Sequence, residues 1–161
     1  MDIKSFEAHD HKHCIKSGLK AAEDICAERK AQLTPVRRRV LEILLEGHRA
    51  MGAYEVLDHL RAEGLGSQPP VAYRALDFLA ANGLVHRIER LNAFIACSTP
   101  DVDHAPTFLI CRECSTIAET PAPRAGRVVR HAAQEVGFHV EKVVIEAEGL
   151  CPACHESEAA E

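Results

Sequence analysis

The sequence predicts an α/β (α+β) chain in which an N-terminal winged helix-turn-helix domain precedes a small α/β domain. Three observations predict it. Apolar residues recur at helical spacing through residues 17–82, and then alternate through residues 84–97. The segment STPDVDHAP, residues 98–106, is polar, holds two prolines and has no apolar period, so it reads as a hinge. Beyond it, Cys111-x-x-Cys114 and Cys151-x-x-Cys154 bracket a pattern of short strands and one helix.

Each element has its own signal. From about Ser17 to Lys30, the residues Leu19, Ala22, Ile25 and Cys26 fall on one helical face. A second helix opens at Thr34-Pro35, a capping residue followed by proline at the first helical position. Its buried stripe is Val36, Val40, Leu41, Leu44 and Leu45, and Gly47 ends it. A third runs from about Ala53 to Glu63 around Val56, Leu57 and Leu60, and stops at Gly64. A fourth starts near Pro69-Pro70 and reaches Asn82-Gly83, with Ala72, Ala75, Leu76 and Leu79 on one face.

The opposite face of that fourth helix carries Tyr73, Arg74 and Asp77. Two readings stand side by side: a solvated face with a half-buried tyrosine, or the recognition helix of a helix-turn-helix. Arginine chelates guanine in the major groove, and an aromatic ring packs on a thymine methyl. LVHRIE and NAFIAC then flank a short turn at Arg90 to Asn92, which reads as a β-hairpin wing that would bring Arg87 or Arg90 near phosphates. The same shape also serves elsewhere for docking proteins.

Past the hinge come the short strands TFLI and STIAE. A helix from about Ala122 to Val136 follows, and then a valine-rich strand from about His139 to Ala147. A unit of this size is small for an independent core and is expected to rely on staples and a partner subunit. The four cysteines supply a staple, since four thiolates in two knuckles fit a tetrahedral structural zinc. Paired redox disulfides and an iron–sulfur cluster are the rival readings. His86, Cys97, His104 and Glu119 gather around the hinge in sequence. Two nitrogens, a thiolate and a carboxylate again suit zinc, the thiolate disfavouring iron(II) and manganese.

Charge and composition narrow the partners. Residues 1–90 carry 14 Lys and Arg against 13 Asp and Glu, and residues 91–161 carry 5 against 11. The net charge of −5 therefore hides a first half that is locally basic at Arg37, Arg38 and Arg39. No apolar run reaches the length of a membrane span and no signal peptide opens the chain, so a cytoplasmic protein without membrane contact is expected. In that compartment, seven cysteines read as metal ligands or buried thiols. No nucleophile–base pair or phosphate loop points to an enzyme. The stretch HDHKHC, with His9, His11, His13 and Cys14, is either an accessory metal site or a disordered polar tail.

The segments LTPVRRRVLEIL, AYEVLDHL, SQPPVAYRALDFLAANGLVHRIE, NAFIAC, FLICREC and VIEAEGLCPAC carry a further signal. Over about Ala21 to Cys154 the chain resembles the ferric-uptake-regulator family, and within it the zinc-uptake-regulator branch. The resemblance implies a homodimeric, zinc-responsive transcriptional repressor that binds AT-rich palindromic operators of zinc-uptake genes in double-stranded DNA. It implies structural zinc at Cys111, Cys114, Cys151 and Cys154, and sensing zinc at His86, Cys97, His104 and Glu119, so about two zinc ions per monomer. Tyr73 and Arg74 fall on the DNA-reading helix, and Arg37, Arg38, Arg39 and Tyr54 are expected beside the duplex. The organisation that follows is a polar tail (residues 1–16), a winged-helix DNA-binding domain (17–97), the hinge (98–106), an α/β dimerisation and zinc-binding domain (107–155) and an acidic tail (156–161). The iron sensors of the family have a histidine-rich run just before the first CxxC, whereas the corresponding stretch here, DHAPTFLI, holds one histidine, His104. The alternatives are the same architecture sensing another metal or peroxide, and a zinc-storage or zinc-transfer protein without DNA contact.

Overall fold

The computed structural model describes residue 6, residues 10–100 and residues 104–159. The described residues divide into one unit of residues 10–100 and another of residues 104–159 with residue 6.

The first unit opens with α1 (His11–Glu28), and Asp10 caps it by accepting the Lys12 N–H at 2.9 Å. The helix thus starts six residues before the expected Ser17, and residues 11–16, read from sequence as tail, form its first turns. The polar composition concealed the cap. Helix α2 (Pro35–Leu45) starts as its sequence dictates, with Thr34 Oγ1 accepting the Arg37 N–H and Pro35 at the first position. Helices α3 (Ala53–Ala62) and α4 (Pro69–Ala81) follow. Gly64 and Gly83 sit just past their ends at φ 70° and 71°. There the N–H groups of Leu65 and Leu84 return to the carbonyls of Leu60 and Leu79, each at 2.9 Å. Only glycine takes that left-handed turn without strain.

The inward faces meet in one core: Val40 from α2, Val56, Leu57 and Leu60 from α3, and Ala72, Leu76 and Leu79 from α4 are fully buried. Strands β1 (Val85–Ile88) and β2 (Ala93–Ala96) form the antiparallel wing. Met51, just before α3, bridges to Phe94 and extends the wing by one rung, a contact without a sequence signal.

The second unit holds a three-stranded sheet in the order β4 (Ile117–Glu119), β3 (Thr107–Cys111), β5 (Ile145–Gly149). The pair β3/β4 is antiparallel, and β3/β5 is parallel with α5 (Pro123–Glu135) in the crossover. Phe108 and Ile117 anchor its core. The last strand lies later than the expected residues 139–147. Only residues 145–149 run beside β3, so only they find ladder partners, whatever the alternation of the residues before them. A further helix, α6 (Pro152–Ala159), carries Cys154 and occupies most of the stretch read as an acidic tail. Helix α5 buries only Gly126, while Val128, Val129, Val136 and Phe138 on it and just beyond it are exposed. That is the apolar surface a subunit leaves for a partner. Among the described residues, no helix is long and apolar enough to cross a membrane.

Candidate metal centres and nucleic-acid interface

The parallel β3/β5 ladder builds the four-cysteine cluster. Its register sets Cys111 beside Gly149, and the Arg112 N–H donates to the Gly149 carbonyl at 2.9 Å. Cys151 lies two residues further on, at the start of α6. Cys114 closes a tight turn in which Ser115 takes φ 60° and its N–H returns to the Cys111 carbonyl at 3.1 Å. One sulfur from each of the four cysteines lies within 4.8 Å of all the others, and Cys114 Sγ is 3.7 Å from Cys151 Sγ. Zinc–sulfur bonds of about 2.3 Å in a tetrahedron place sulfurs about 3.8 Å apart, so the cluster fits a four-coordinate ion.

The electrostatics suit thiolates. Backbone N–H groups of Cys114, then those of Cys151 and Glu113, bring the Cys111 thiol down to about 6. The hydroxyl and backbone of Thr116 lower Cys114. Hydrogen bonding to the Cys151 sulfur first, then burial and the sulfurs of Cys114 and Cys111, push Cys154 up to about 12, so its thiol resists ionisation. A dication at the centre removes that resistance. Thr116 is a supporting residue that no spacing in the sequence announces. All seven cysteines are thiols, none in a disulfide.

Each unit carries two of the four remaining candidate ligands. In the first, His86 pairs with Ile95 across the wing, and the Cys97 N–H donates to the Leu84 carbonyl at 2.9 Å. Opposed residues share a face and faces alternate along a strand, so His86 and Cys97 lie diagonally on one side of the hairpin. Cys97 is buried and His86 half-buried. In the second unit, Glu119 ends β4 opposite Phe108, and its Oε1 lies 2.5 Å from His104 Nε2. The Glu119 side chain is only 6% exposed, so an imidazole and a carboxylate are held together out of solvent.

The helix-turn-helix displays Tyr54 on α3 and Tyr73 on α4, 61% and 41% exposed, in an edge-to-face contact with ring centres 6.5 Å apart. Arg74 is exposed beside them and makes no ion pair among the described residues. Helical geometry separates the three consecutive arginines of α2. The Arg37 guanidinium stacks 3.7 Å over the Phe78 ring and donates to the Gln32 carbonyl at 2.6 Å. Arg38 pairs with Glu23 of α1 and with Glu42. Arg39 forks onto Glu63 at 2.7 and 2.8 Å, and also meets Glu42 and Glu46 at 3.1 Å. His13 and Cys14 lie on α1, His11 opens it, and His9 is outside the described residues.

Comparison with known proteins agrees with this geometry. The model of the Ferric uptake regulator family matches residues 28–148. The zinc uptake regulation protein of Escherichia coli (strain K12) is 40% identical over 142 residues, which cover 88% of this chain and 83% of that protein. A solved structure of a zinc uptake regulator complexed with zinc and DNA matches with a TM-score of 0.85 at 39% identity, over 90% of this chain and 97% of the other. Holo XcZur matches with a TM-score of 0.80 at 38% identity, over 87% and 98%.

Proposed function

We propose that this chain, which belongs to the ferric uptake regulator family, is a zinc-responsive transcriptional repressor that binds AT-rich palindromic operators of zinc-uptake genes as a zinc-loaded dimer. It is a regulator and not an enzyme, as its relatives are.

The observation that carries the reading is the division of labour between two donor sets. Cys111, Cys114, Cys151 and Cys154 form a complete thiolate cage inside one unit, the chemistry of a structural zinc. His86 with Cys97, and His104 with Glu119, are two half-sets on different units. One zinc ion taking all four would tie the units at a single angle. A repressor needs that angle, because a dimer reads successive major grooves only when its two recognition helices stand about 34 Å apart. Tyr54, Tyr73 and Arg74 supply exposed groups for base and backbone contact. The Cys97 thiolate argues for zinc over iron(II) or manganese.

The test is fluorescence anisotropy of a labelled AT-rich palindrome at buffered free-metal concentrations. Operator affinity should rise with zinc and respond weakly to iron(II). Equal affinity in chelator and in saturating zinc would refute the repressor reading. Loss of zinc binding with full DNA binding would refute the sensing role, and a storage protein would leave Arg74→Ala without effect.

A further inference from the structure

The histidine-rich start of α1 takes no part in the donor sets described above, yet the fold gives one of its members a partner. Gly18 brings α1 directly onto the end of α2, where a β-carbon would stand 2.7 Å from Leu45 Cδ1 and 2.8 Å from Cδ2. His11 precedes Gly18 by seven residues, close to two helical turns, and so shares its face. The chain leaving α2 reaches His48 three residues after Leu45. The two imidazoles meet there with ring centroids 5.1 Å apart and planes inclined at 43°. Both residues are half-buried and both belong to the first unit.

That spacing has a chemical meaning. Zinc–nitrogen bonds of about 2.0–2.1 Å at a tetrahedral angle place two coordinated imidazole centres about 5.2 Å apart. The rings therefore stand at the separation of a bis-imidazole complex, on elements whose packing is fixed by the Gly18–Leu45 contact. Imidazole is a preferred ligand of zinc, nickel and copper. With two protein donors and water completing the shell, the affinity would fall well below that of a four-thiolate cage.

We infer that His11 and His48 form an accessory site for a zinc-class divalent cation on the helical unit, clasping the N-terminus of α1 to the loop that precedes the helix-turn-helix. It fills only after tighter sites are occupied, and so reports zinc excess rather than zinc sufficiency.

The experiment uses full-length protein equilibrated with a slight zinc excess, then titrated with Zn2+ against a colorimetric indicator of micromolar affinity. Wild type is compared with His11→Ala, His48→Ala, the double variant, and His131→Ala, which alters an exposed histidine on α5. Wild type and His131→Ala should take up about one equivalent more than either single variant, with no further loss in the double variant. The readout is a difference between variants, so it holds whatever number of ions the other donors bind and survives failure of the repressor reading. His48→Gln, polar and of similar size, must lose the same equivalent while melting in chelator like wild type. Equal uptake by wild type and His48→Ala overturns the site. So does a fall in melting temperature without a change in uptake, which is the mark of a ring pair that serves only packing.

Discussion

Cys97→Ser separates sensing from structure more cleanly than any other single change. Cys97 is 5% exposed and directly follows β2, with its N–H on the Leu84 carbonyl at 2.9 Å. Serine keeps that backbone bond and nearly the same volume, so the fold should lose only about 1–2 kcal/mol for a hydroxyl buried in place of sulfur. The metal loses far more. A neutral hydroxyl would replace the one thiolate of the proposed His, Cys, His, Glu set, leaving three donors. Zinc can shift the units toward the DNA-competent arrangement only by its differential affinity for that arrangement, and a hundredfold shift requires about 2.7 kcal/mol. Removing one donor of four should erase at least that much. In anisotropy at buffered zinc, the midpoint of zinc-stimulated operator binding should therefore move by two decades or more, or the amplitude should vanish. The four-cysteine zinc and the dimer should survive. Cys26→Ser is the control, since Cys26 is equally buried in α1 but belongs to no donor set. A Cys97→Ser protein that responds with wild-type midpoint and amplitude would refute the reasoning.

Three further outcomes are expected. Mild chelation should remove about one zinc per monomer and leave far-UV dichroism unchanged, whereas Cys111→Ser should give an unstable or insoluble protein, because zinc in such a cage contributes about 10 kcal/mol or more; loss of helical signal with the first ion removed would contradict this. Arg74→Ala should weaken operator binding by about 1–3 kcal/mol per half-site and relax base preference at one position in each, as read by competition with mutated operators. Arg39→Met should lower stability at neutral pH and flatten the acid limb of the stability curve. The sign follows from Glu63, whose carboxyl is held below its ordinary value chiefly by the hydrogen bond to Arg39. A depressed carboxylate stabilises the fold above its unfolded pKa of about 4.3, and that contribution is lost as pH falls through the folded value. An acid limb identical to wild type in denaturant titrations from neutral pH downward would exclude the pairing.

Much of the fold was legible because its local signals agree. Thr34-Pro35, Gly64, Gly83 and the shift from helical to alternating period marked α2, α3, α4 and the wing within a residue or two. What was missed depended on partners distant in sequence. The start of α1 looked like tail because its first turn is polar, although Asp10 offers a cap. Only the parallel pairing with β3 decides that β5 is Ile145–Gly149. The run Arg37-Arg38-Arg39 read as one basic patch. On a helix, however, successive residues point about 100° apart, and each met a different neighbour: a phenylalanine ring, a glutamate of α1, a glutamate at the end of α3. The cysteine cage was legible because CxxC spacing is itself geometric. Thr116, which supports it, was not, since one threonine after a knuckle carries no pattern.

The two proposed zinc sites differ in what their ligands already have before metal arrives. In the cysteine cage, Cys111 and Cys151 are 40 residues apart in sequence and meet at the end of a parallel pair, the kind of pairing that must close a long loop before any contact rewards it. Zinc that joins them holds a loop shut in a unit with a small core, so its binding energy becomes folding energy. His86 and Cys97 are different. A tight antiparallel hairpin sets them on one face with no metal needed, and β4 does the same for Glu119 against His104. Those half-sets exist whenever their own units are folded, and under the proposed function metal would contribute only by joining them. A site assembled that way can empty without unfolding either unit, which is the property a reversible sensor requires and a structural staple cannot have.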